Sequence, residues 1–388
     1  MYRIQTLNTI SDKGLGLLGA ERYAVGAEIE NPDAYLIRST SLHDRELPPQ
    51  LKAIARAGAG VDNIPLDRCT AAGVPVFNTP GANANAVKEM VIAGLLLSSR
   101  RICEGVEWVR SNAHKGEELP ALVEREKRRF GGPEIAGKTL GVVGLGSVGV
   151  LVCNAAEQLG MRVIGHDPYI SISHAWNLSQ AVERADELHR LYEQADYISI
   201  HVPLTDTTRN MIDADSIKLM KYGVRILNLS REGLVQHDAL AGALKDGKIA
   251  CYMSDLPEPG IVGLESVLVT PHIGASTPEA EDNCAVTAVQ VLKTYLETGN
   301  LENSVNFPRC SMDSGGRHRI TIANRNVPNM VGQITTLLAA AGHNIEDLIN
   351  KHRDDVAYNI IDLSEEPNER TMNRLSTIEG VLAARFVY

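Results

Sequence analysis

The chain of 388 residues carries a formal charge of −10, with 44% hydrophobic and 22% charged residues. This length predicts two or three globular domains, and the acidic balance disfavours nucleic acid or an anionic membrane as a partner. Six cysteines are scattered without a C-x-x-C pair, and no apolar run near 18 residues occurs. We expect no signal peptide at the N-terminus. We therefore expect free thiols, no metal site and a cytoplasmic enzyme.

The first eighty residues predict small alternating α/β units. Their candidate strands are Tyr2–Leu7, Ala34–Ile37, Lys52–Ala57 and Val74–Phe77. The next segment, Ala86–Arg100, is so apolar that we expect a helix buried at a domain junction. We assign residues 1–85 and 278–307 to one Rossmann-like domain and residues 86–277 to a second.

The clearest motif lies between Thr139 and Asp167. An apolar run ends at Val143 and is followed by glycines in the spacing G-x-G-x-x-G, a helical pattern and a second apolar run. These glycines, Gly144, Gly146 and Gly149, are typical of a turn that cradles a pyrophosphate, with N–H groups of the following helix, at Ser147 and Val148, facing the phosphates. Asp167 would accept hydrogen bonds from the adenosine ribose and repel a 2′-phosphate, which favours NAD over NADP.

Strands and helices alternate from residue 137 to residue 270, as in a doubly wound parallel sheet, where ligands bind beyond the carboxyl ends of the strands. Arg231, in NLSREG, could hold a substrate carboxylate and polarise the adjacent carbonyl. His272, in TPHIGAST, could exchange the hydroxyl proton, Glu258 could pair with it, and Asp255 could orient the nicotinamide carboxamide. Each residue alone is commonly a loop or ion-pair residue, but their shared position favours catalysis.

The last seventy residues predict a separate unit beyond a linker at residues 308–318. Strand and helix patterns over residues 319–388 follow the order β-α-β-β-α-β if Ile345–Asn350 is the second strand. This order predicts a ferredoxin-like domain.

With these motifs in place, the chain resembles the D-isomer-specific 2-hydroxyacid dehydrogenases from about residue 30 to its end. The matching stretches are RST, RAGAGVDNI, NTPGANANAVKE, GKTLGVVGLGSVG, HVPLTDTTRNMI, NLSREGLV and TPHIGAST. The resemblance implies the cofactor NAD, a catalytic pair at Arg231 and His272, and cofactor contacts at Asp167 and Asp255. It adds cofactor contacts at His201, Val202, Pro203 and Thr207.

Two departures from that family concern the catalytic loops. The family usually shows Asp-x-x-x-x-Glu-Pro, whereas Glu258 follows Asp255 by only three positions. Glu258 is therefore either the partner of His272 or a loop carboxylate exposed to solvent. Glu232 stands where glycine is common after the arginine, which we expect to alter the loop and not the chemistry.

For the substrate, the resemblance implies a carboxylate held by backbone N–H groups of Gly58, Ala59 and Gly60. A phosphorylated 2-hydroxyacid needs further cations, and the candidates are Arg38, Arg56 and the run Lys127–Arg129. Ser39, beside Arg38, is predicted to contact the substrate as well. The run is alternatively a solvated surface patch. Asn83 either lines the same cleft or caps the following helix.

The tail resembles ACT regulatory domains, which implies an L-serine effector site at Asn324, Asn326 and Asn344, or a domain used only for assembly. We expect the protein to form a homodimer or homotetramer. Two other function classes stay open. One is a different 2-hydroxyacid dehydrogenase, such as a hydroxypyruvate, glyoxylate or 2-oxoglutarate reductase. The other is an NAD-sensing binding protein of the same fold.

Overall fold

The computed structural model describes residues 1–313 and 318–388 of the chain. Two compact units result, one formed by Met1–Asn83 with Pro278–Tyr388 and the other by Ala84–Thr277. The first break thus lies at Asn83/Ala84, two residues before the predicted boundary. Residues 314–317, within the predicted linker 308–318, lie outside the described residues.

The first unit begins with a five-stranded sheet in the order β2-β1-β3-β4-β5, and its paired strands run parallel. The strands are β1 (Tyr2–Thr6), β2 (Tyr23–Gly26), β3 (Ala34–Ile37), β4 (Ala53–Arg56) and β5 (Val76–Phe77), and the helices are α1 (Asp12–Leu15) and α2 (Leu66–Ala71). The short edge strand β2 was not predicted, because its burial is partial and its apolar pattern is weak.

The second unit contains a seven-stranded parallel sheet in the order β12-β11-β10-β9-β6-β7-β8. Its helices are α3 (Ala84–Ser99), α4 (Ile102–Ser111), α5 (Leu119–Glu126), α6 (Ser147–Gln158), α7 (Ile172–Asn177), α8 (Leu188–Gln194), α9 (Ala214–Leu219) and α10 (His237–Lys245), with short 3-10 helices at Ala113–Glu118 and Lys127–Phe130. Its strands are β6 (Thr139–Val143), β7 (Arg162–His166), β8 (Glu183–Arg184), β9 (Tyr197–Ile200), β10 (Val224–Asn228), β11 (Ile249–Ser254) and β12 (Val267–Val269). The strand order reverses between β6 and β9, where such sheets open a crevice for a ligand.

Alternation along the strands of this sheet sends side chains into two cores. Leu140 and Val142 of β6 pack with Leu95 of α3 and Val152 of α6 on one face. Val143 packs on the other face, against the cluster that includes α8 and α10. Because both faces are covered, β6 is buried along its whole length, which explains its continuous apolar run.

The chain returns to the first unit through α11 (Pro278–Thr298), a helix of 21 residues. Leu292 and Leu296 of this helix pack against Ile4, Leu36 and other side chains of the five-stranded sheet. The long helix therefore supplies much of the core on this face of the sheet.

The C-terminal part forms a four-stranded antiparallel sheet in the order β14-β15-β13-β16. Its elements follow the predicted order: β13 (His318–Arg325), α12 (Met330–Ala340), β14 (Ile345–Arg353), β15 (Val356–Leu363), α13 (Glu369–Ser376) and β16 (Val381–Phe386). Ile320 and Ile361 pack with Leu338 of α12 and Leu375 of α13 on one face.

The opposite face of this antiparallel sheet is buried against the rest of the first unit. Tyr358 and Ile360 of β15 share a core with Tyr295 and Leu296 of α11, and the Tyr358 hydroxyl donates to the backbone oxygen of Gly299 at 2.8 Å. The C-terminal sheet that the sequence predicts is therefore present, but it belongs to the same compact unit as the N-terminal sheet. The order of the predicted strands and helices does not show what covers the second face of this sheet.

All six cysteines are free; five are buried, whereas Cys103 is exposed. Within residues 1–313 and 318–388 no helix has both the length and the apolar content needed to cross a membrane.

Candidate active site

The three glycines after β6 meet different surroundings. Gly144 has φ of +91°, and a Cβ there would lie 2.7 Å from the backbone oxygen of His201. A Cβ at Gly149 would lie 2.0 Å from the backbone oxygen of Gly144. A Cβ at Gly146 would meet no described atom within 4 Å. The first and third glycines are thus required by the fold, while the second leaves open space above the turn.

The Asp167 carboxylate is bonded to this glycine turn. Its Oδ2 accepts from the Leu145 N–H at 2.8 Å, and its Oδ1 accepts from the Tyr169 N–H at 2.8 Å. Helix α6 begins at Ser147, and among the described side chains none caps it through a hydrogen bond. The first-turn N–H groups and an acidic side chain therefore flank one turn, the arrangement that the sequence predicts for a dinucleotide.

The loop after β9 begins at His201 and is hydrogen-bonded to the loop after β10. The His201 ring nitrogen Nε2 lies 2.8 Å from the hydroxyl of Ser199, and burial lowers the pKa of His201 to about 4. The imidazole is therefore neutral at physiological pH. Ser230 donates to the backbone oxygen of Val202 at 2.5 Å, which joins this loop to the loop after β10. Pro203 and Thr207 are exposed.

Arg231 lies in the loop after β10, and a buried asparagine supports that loop. Asn228 is the last residue of β10 and donates from Nδ2 to the backbone oxygen of Arg231 at 2.9 Å and to the hydroxyl of Tyr252 at 3.3 Å. Its Oδ1 accepts from the Ser230 N–H at 3.1 Å. The half-buried Arg231 side chain donates to the backbone oxygen of Ser230 at 2.8 Å.

Asp255 lies just after β11 and bonds to the loop that carries His272. The carboxylate is buried and accepts from the Thr270 hydroxyl at 2.5 Å, the Ile273 N–H at 2.9 Å and the Gly274 N–H at 2.6 Å. His272 itself is exposed and has φ of +55°. Both Asp255 oxygens thus hold the loop after β12, a contact that the predicted carboxamide role did not include.

Glu258 pairs with a different histidine from the predicted one, so the predicted pair of Glu258 with His272 is wrong. The Oε2 of Glu258 lies 3.0 Å from Nε2 of His237, the first residue of α10. The Glu258 side chain is 10% exposed, so it is not the solvent-exposed loop carboxylate of the alternative interpretation either. The shorter spacing after Asp255 leaves the carboxylate beside α10.

In the first unit, the RST loop after β3 is organised by Asn8. Its Oδ1 accepts from the consecutive N–H groups of Arg38, Ser39 and Thr40 at 2.8, 3.1 and 3.1 Å. The guanidinium of Arg38 lies 2.7 Å from Oε1 of Glu281, and both side chains are about 40% exposed. An exposed ion pair of this kind contributes about 0–1 kcal/mol, so an anionic ligand can displace it.

The Arg56 guanidinium donates hydrogen bonds to backbone oxygens of its own unit. Its guanidinium donates from Nε to the backbone oxygen of Arg38 at 2.8 Å and from Nη1 to that of Gly60. Asn78 donates to the backbone oxygen of Ala59 at 2.6 Å, and the Thr79 N–H donates to that of Gly58 at 3.1 Å. These bonds give Arg56 a role in fixing the Gly58–Gly60 loop, and its phosphate role stays a prediction.

The remaining candidates lie on the second unit and at the boundary between the units. Lys127 and Arg129 form ion pairs with Glu124 and Glu126 of their own segment, as expected for a solvated patch. Asn83 is the last residue before α3 and is half-buried.

The three asparagines expected at an effector site have different environments. Asn324 is 1% exposed, and its Oδ1 accepts from Asn359 at 2.7 Å. Asn359 in turn accepts from Asn350 at 2.7 Å, so these side chains form a ladder across β13, β15 and β14. Asn326 and Asn344 are exposed. Asn324 is therefore a buried sheet residue, which its position in the motif could not reveal.

Sequence reasoning missed Asn8, Asn228 and Thr270, which hold the three loops. Each is a small polar residue at or just beyond the carboxyl end of a strand, and that position was the one available signal. Among residues 1–313 and 318–388, His, Cys, Asp and Glu side chains form no group able to hold a metal ion.

Comparison with known proteins places these loops in context. Residues 92–274 match the family model described as D-isomer specific 2-hydroxyacid dehydrogenase, NAD binding domain. D-3-phosphoglycerate dehydrogenase of Methanocaldococcus jannaschii is 36% identical over 299 residues, 75% of this chain and 55% of that protein. The enzyme of that name from Escherichia coli is 32% identical over 352 residues, 87% of this chain and 82% of that protein.

The chain thus spans about half the length of the first of these relatives. Among solved structures, NAD⁺-bound 3-phosphoglycerate dehydrogenase of Entamoeba histolytica matches with a TM-score of 0.62, covering 79% of this chain and 98% of that chain at 24% identity. That likeness concerns the fold.

Proposed function

The chain belongs to the D-isomer-specific 2-hydroxyacid dehydrogenases, and from this premise we propose that it oxidises D-3-phosphoglycerate to 3-phosphohydroxypyruvate with NAD, the first step of phosphorylated L-serine biosynthesis. The observation that supports this choice of substrate is the similarity to the Escherichia coli enzyme, which extends over 87% of this chain and 82% of that protein.

The second unit supplies the groups that the cofactor needs. Open space above Gly146, the uncapped start of α6 and the Asp167 carboxylate support a dinucleotide at the glycine turn. When bound, NAD provides the nicotinamide C4 that takes up the hydride from C2 of the substrate.

Two side chains of the second unit handle the substrate in this proposal. Arg231 holds the substrate carboxylate and polarises the adjacent carbon–oxygen bond, because a guanidinium forks onto a carboxylate. His272 removes the C2 hydroxyl proton in oxidation and returns it in reduction. The exposed His272 ring follows β12 and the supported Arg231 loop follows β10, on either side of β11 at one edge of the sheet, which is consistent with these roles.

The first unit supplies the anion contacts of the proposal. Backbone N–H groups of Ala59 and Gly60 would bind the carboxylate, because the predicted Gly58 N–H donates to the backbone oxygen of Arg56 at 3.0 Å. Arg38 would bind the phosphate after leaving Glu281. Because Arg56 is committed to backbone oxygens, Arg38 is the stronger phosphate candidate of the two. The commitment of Arg56 also favours one runner-up, reduction of unphosphorylated hydroxypyruvate, which needs fewer cations.

A substrate panel tests the proposal. NADH oxidation is followed with 3-phosphohydroxypyruvate, hydroxypyruvate, glyoxylate and 2-oxoglutarate. We expect the phosphorylated acid to have the highest kcat/KM, and Arg38→Ala to lower that value about 10- to 100-fold without a comparable loss for hydroxypyruvate. Preference for hydroxypyruvate in the wild type would support the runner-up. Absence of turnover with every acid, together with tight NADH binding, would indicate an NAD-sensing protein.

For the C-terminal sheet we propose an ACT domain that binds L-serine in a homodimer or homotetramer. The β-α-β-β-α-β order and the exposed Asn326 and Asn344 support this assignment, whereas the buried Asn324 does not. Repeating the assay with L-serine tests it, with Asn344→Ala as the variant expected to lose inhibition. If serine leaves the rate unchanged, the domain serves assembly only.

A further inference from the structure

The loop that carries His272 is held by one buried carboxylate. Asp255 receives the hydroxyl of Thr270 and the N–H groups of Ile273 and Gly274, two residues before and one and two residues after that histidine. We propose that Asp255, acting through Thr270, is the positioning residue for His272 and that Glu258 has no part in the proton exchange. This inference rests on the proposed function.

The backbone of His272 shows why such an anchor is needed. Its φ of +55° lies in the left-handed region, which residues other than glycine adopt uncommonly, although asparagine, aspartate and histidine do so more often than the rest. Its N–H donates to the backbone oxygen of Thr270 at 2.9 Å, which closes a tight turn centred on Pro271. A strained residue of this kind persists only where its surroundings fix it. Here the fixed points on both sides of the turn are bonds to Asp255.

The anchor is charged and sealed from water. Asp255 is 4% exposed, and its two oxygens share three donors that all come from the same loop. Hydrogen bonds to an ionised acceptor are stronger than those between neutral groups. Gly274 allows the close approach, because a Cβ at that position would lie 2.8 Å from Oδ2 of Asp255. The loop is therefore fitted to this carboxylate.

Glu258 is committed elsewhere. Its carboxylate bonds His237 of α10, and a Cβ at Gly260 would lie 2.4 Å from Nδ1 of the same imidazole. The segment after Asp255 is thus packed around His237. Within the described part of the chain, the two carboxylates have divided roles: one fixes the loop of His272, and the other fixes α10.

Matched variants test this division. Thr270→Val keeps the shape of the side chain but removes the hydroxyl that Asp255 accepts, and Thr270→Ser keeps the hydroxyl. We expect Thr270→Val to lower kcat about 10- to 100-fold, since small misplacements of a reacting group have effects of that size, while Thr270→Ser stays within about threefold of wild type. NADH affinity, measured by fluorescence titration, should change little in either variant. Glu258→Gln should keep kcat within about threefold.

Two results would overturn the inference. One is a Thr270→Val enzyme with wild-type kcat, and the other is a Glu258→Gln enzyme that loses as much as Thr270→Val. A parallel loss of NADH affinity in Thr270→Val would instead assign the carboxylate to the nicotinamide.

A substrate-independent measurement separates this inference from the proposed function. The ring signals of His272 and His237 are assigned in histidine-labelled NMR spectra from His272→Ala and His237→Gln. We expect Thr270→Val to shift the His272 signal and Glu258→Gln to shift the His237 signal. The reverse pattern contradicts the inference even if none of the tested acids is a substrate, whereas the expected pattern without turnover contradicts only the proposed function.

Discussion

At the glycine turn, adding one methyl group distinguishes a glycine needed for binding from a glycine needed for folding. Gly146 has φ of −77°, and a Cβ there would meet no described atom within 4 Å, whereas a Cβ at Gly149 would meet a backbone oxygen at 2.0 Å. We expect Gly146→Ala to keep the thermal midpoint of the wild type but to weaken NADH binding about 10-fold or more, because the methyl group occupies the space of the pyrophosphate.

Gly149→Ala is the matched control, since the same methyl group should lower the thermal midpoint. Fluorescence titration with NADH and thermal unfolding without it distinguish the two effects. If Gly146→Ala bound NADH as well as the wild type, the open space above the turn would not be the cofactor site.

His201 makes a pH-dependent contribution to stability. Burial lowers its pKa to about 4, below the ordinary value near 6.5. The unfolded chain therefore binds the proton more readily, so the stabilisation is complete above about pH 6.5 and is lost as the pH falls towards 4. We expect wild type to lose about 2 kcal/mol more than His201→Asn between pH 7.5 and pH 5.

Urea unfolding of both proteins at the two pH values checks this difference. Because the comparison subtracts all other titrating groups, equal losses in the two proteins would mean that His201 is not the group responsible.

At the level of the element, the carboxyl end of β10 determines where Arg231 lies. Asn228 is fully buried and donates to the backbone oxygen of Arg231. We expect Asn228→Ala to raise KM for the 2-oxoacid about 10-fold, because the arginine loop loses its support, and to cost about 1–3 kcal/mol of stability from buried groups left unpaired.

Tyr252→Phe is the control, because it removes the other acceptor of the Asn228 amide and leaves the bond to the arginine loop intact. Steady-state kinetics should show an unchanged KM for this variant. A KM in Asn228→Ala equal to that of the wild type would show that the loop holds Arg231 without the asparagine.

The elements also show what the sequence could predict. The glycine turn was predictable because its demands are local: Gly144 and Gly149 are enforced by neighbours in one strand–turn–helix unit. The carboxyl-end positions of Arg231 and His272 followed from the alternation of strands and helices. The histidine that pairs with Glu258 could not be predicted, because a loop shortened by two residues does not indicate which imidazole the carboxylate will contact. Asn8 acts on residues thirty positions away, a contact that no spacing rule reports.

At the scale of the whole chain, the second unit is inserted between the two parts of the first. The antiparallel C-terminal sheet could be predicted as a sheet, but its packing against α11 could not, because Tyr358 and Ile360 have apolar patterns that fit any partner surface. In the structure these side chains join the core of the five-stranded sheet. The C-terminal sheet and the N-terminal sheet should therefore unfold together.

Arg319 makes that coupling testable. Its side chain is fully buried, pairs with Asp362 at 2.7 Å, and donates to the backbone oxygens of Thr298 at the end of α11 and of Met312 at 3.1 Å each. We expect Arg319→Met to cost about 3–5 kcal/mol, because it leaves the Asp362 carboxylate buried without its cation. Arg374→Ala, on the exposed surface of α13, is the control and should change stability by less than about 0.5 kcal/mol.

Hydrogen exchange shows where that stability is lost. If the two sheets share one core, Arg319→Met should reduce protection in α11 and in β15 by similar factors, while β6 of the second unit keeps its protection. Loss confined to residues 318–388 would contradict the shared core, since it would mean that the C-terminal sheet can open while α11 stays packed on the five-stranded sheet. Equal loss in both segments would mean that α11 and β15 open together, so that the C-terminal sheet supports the first unit.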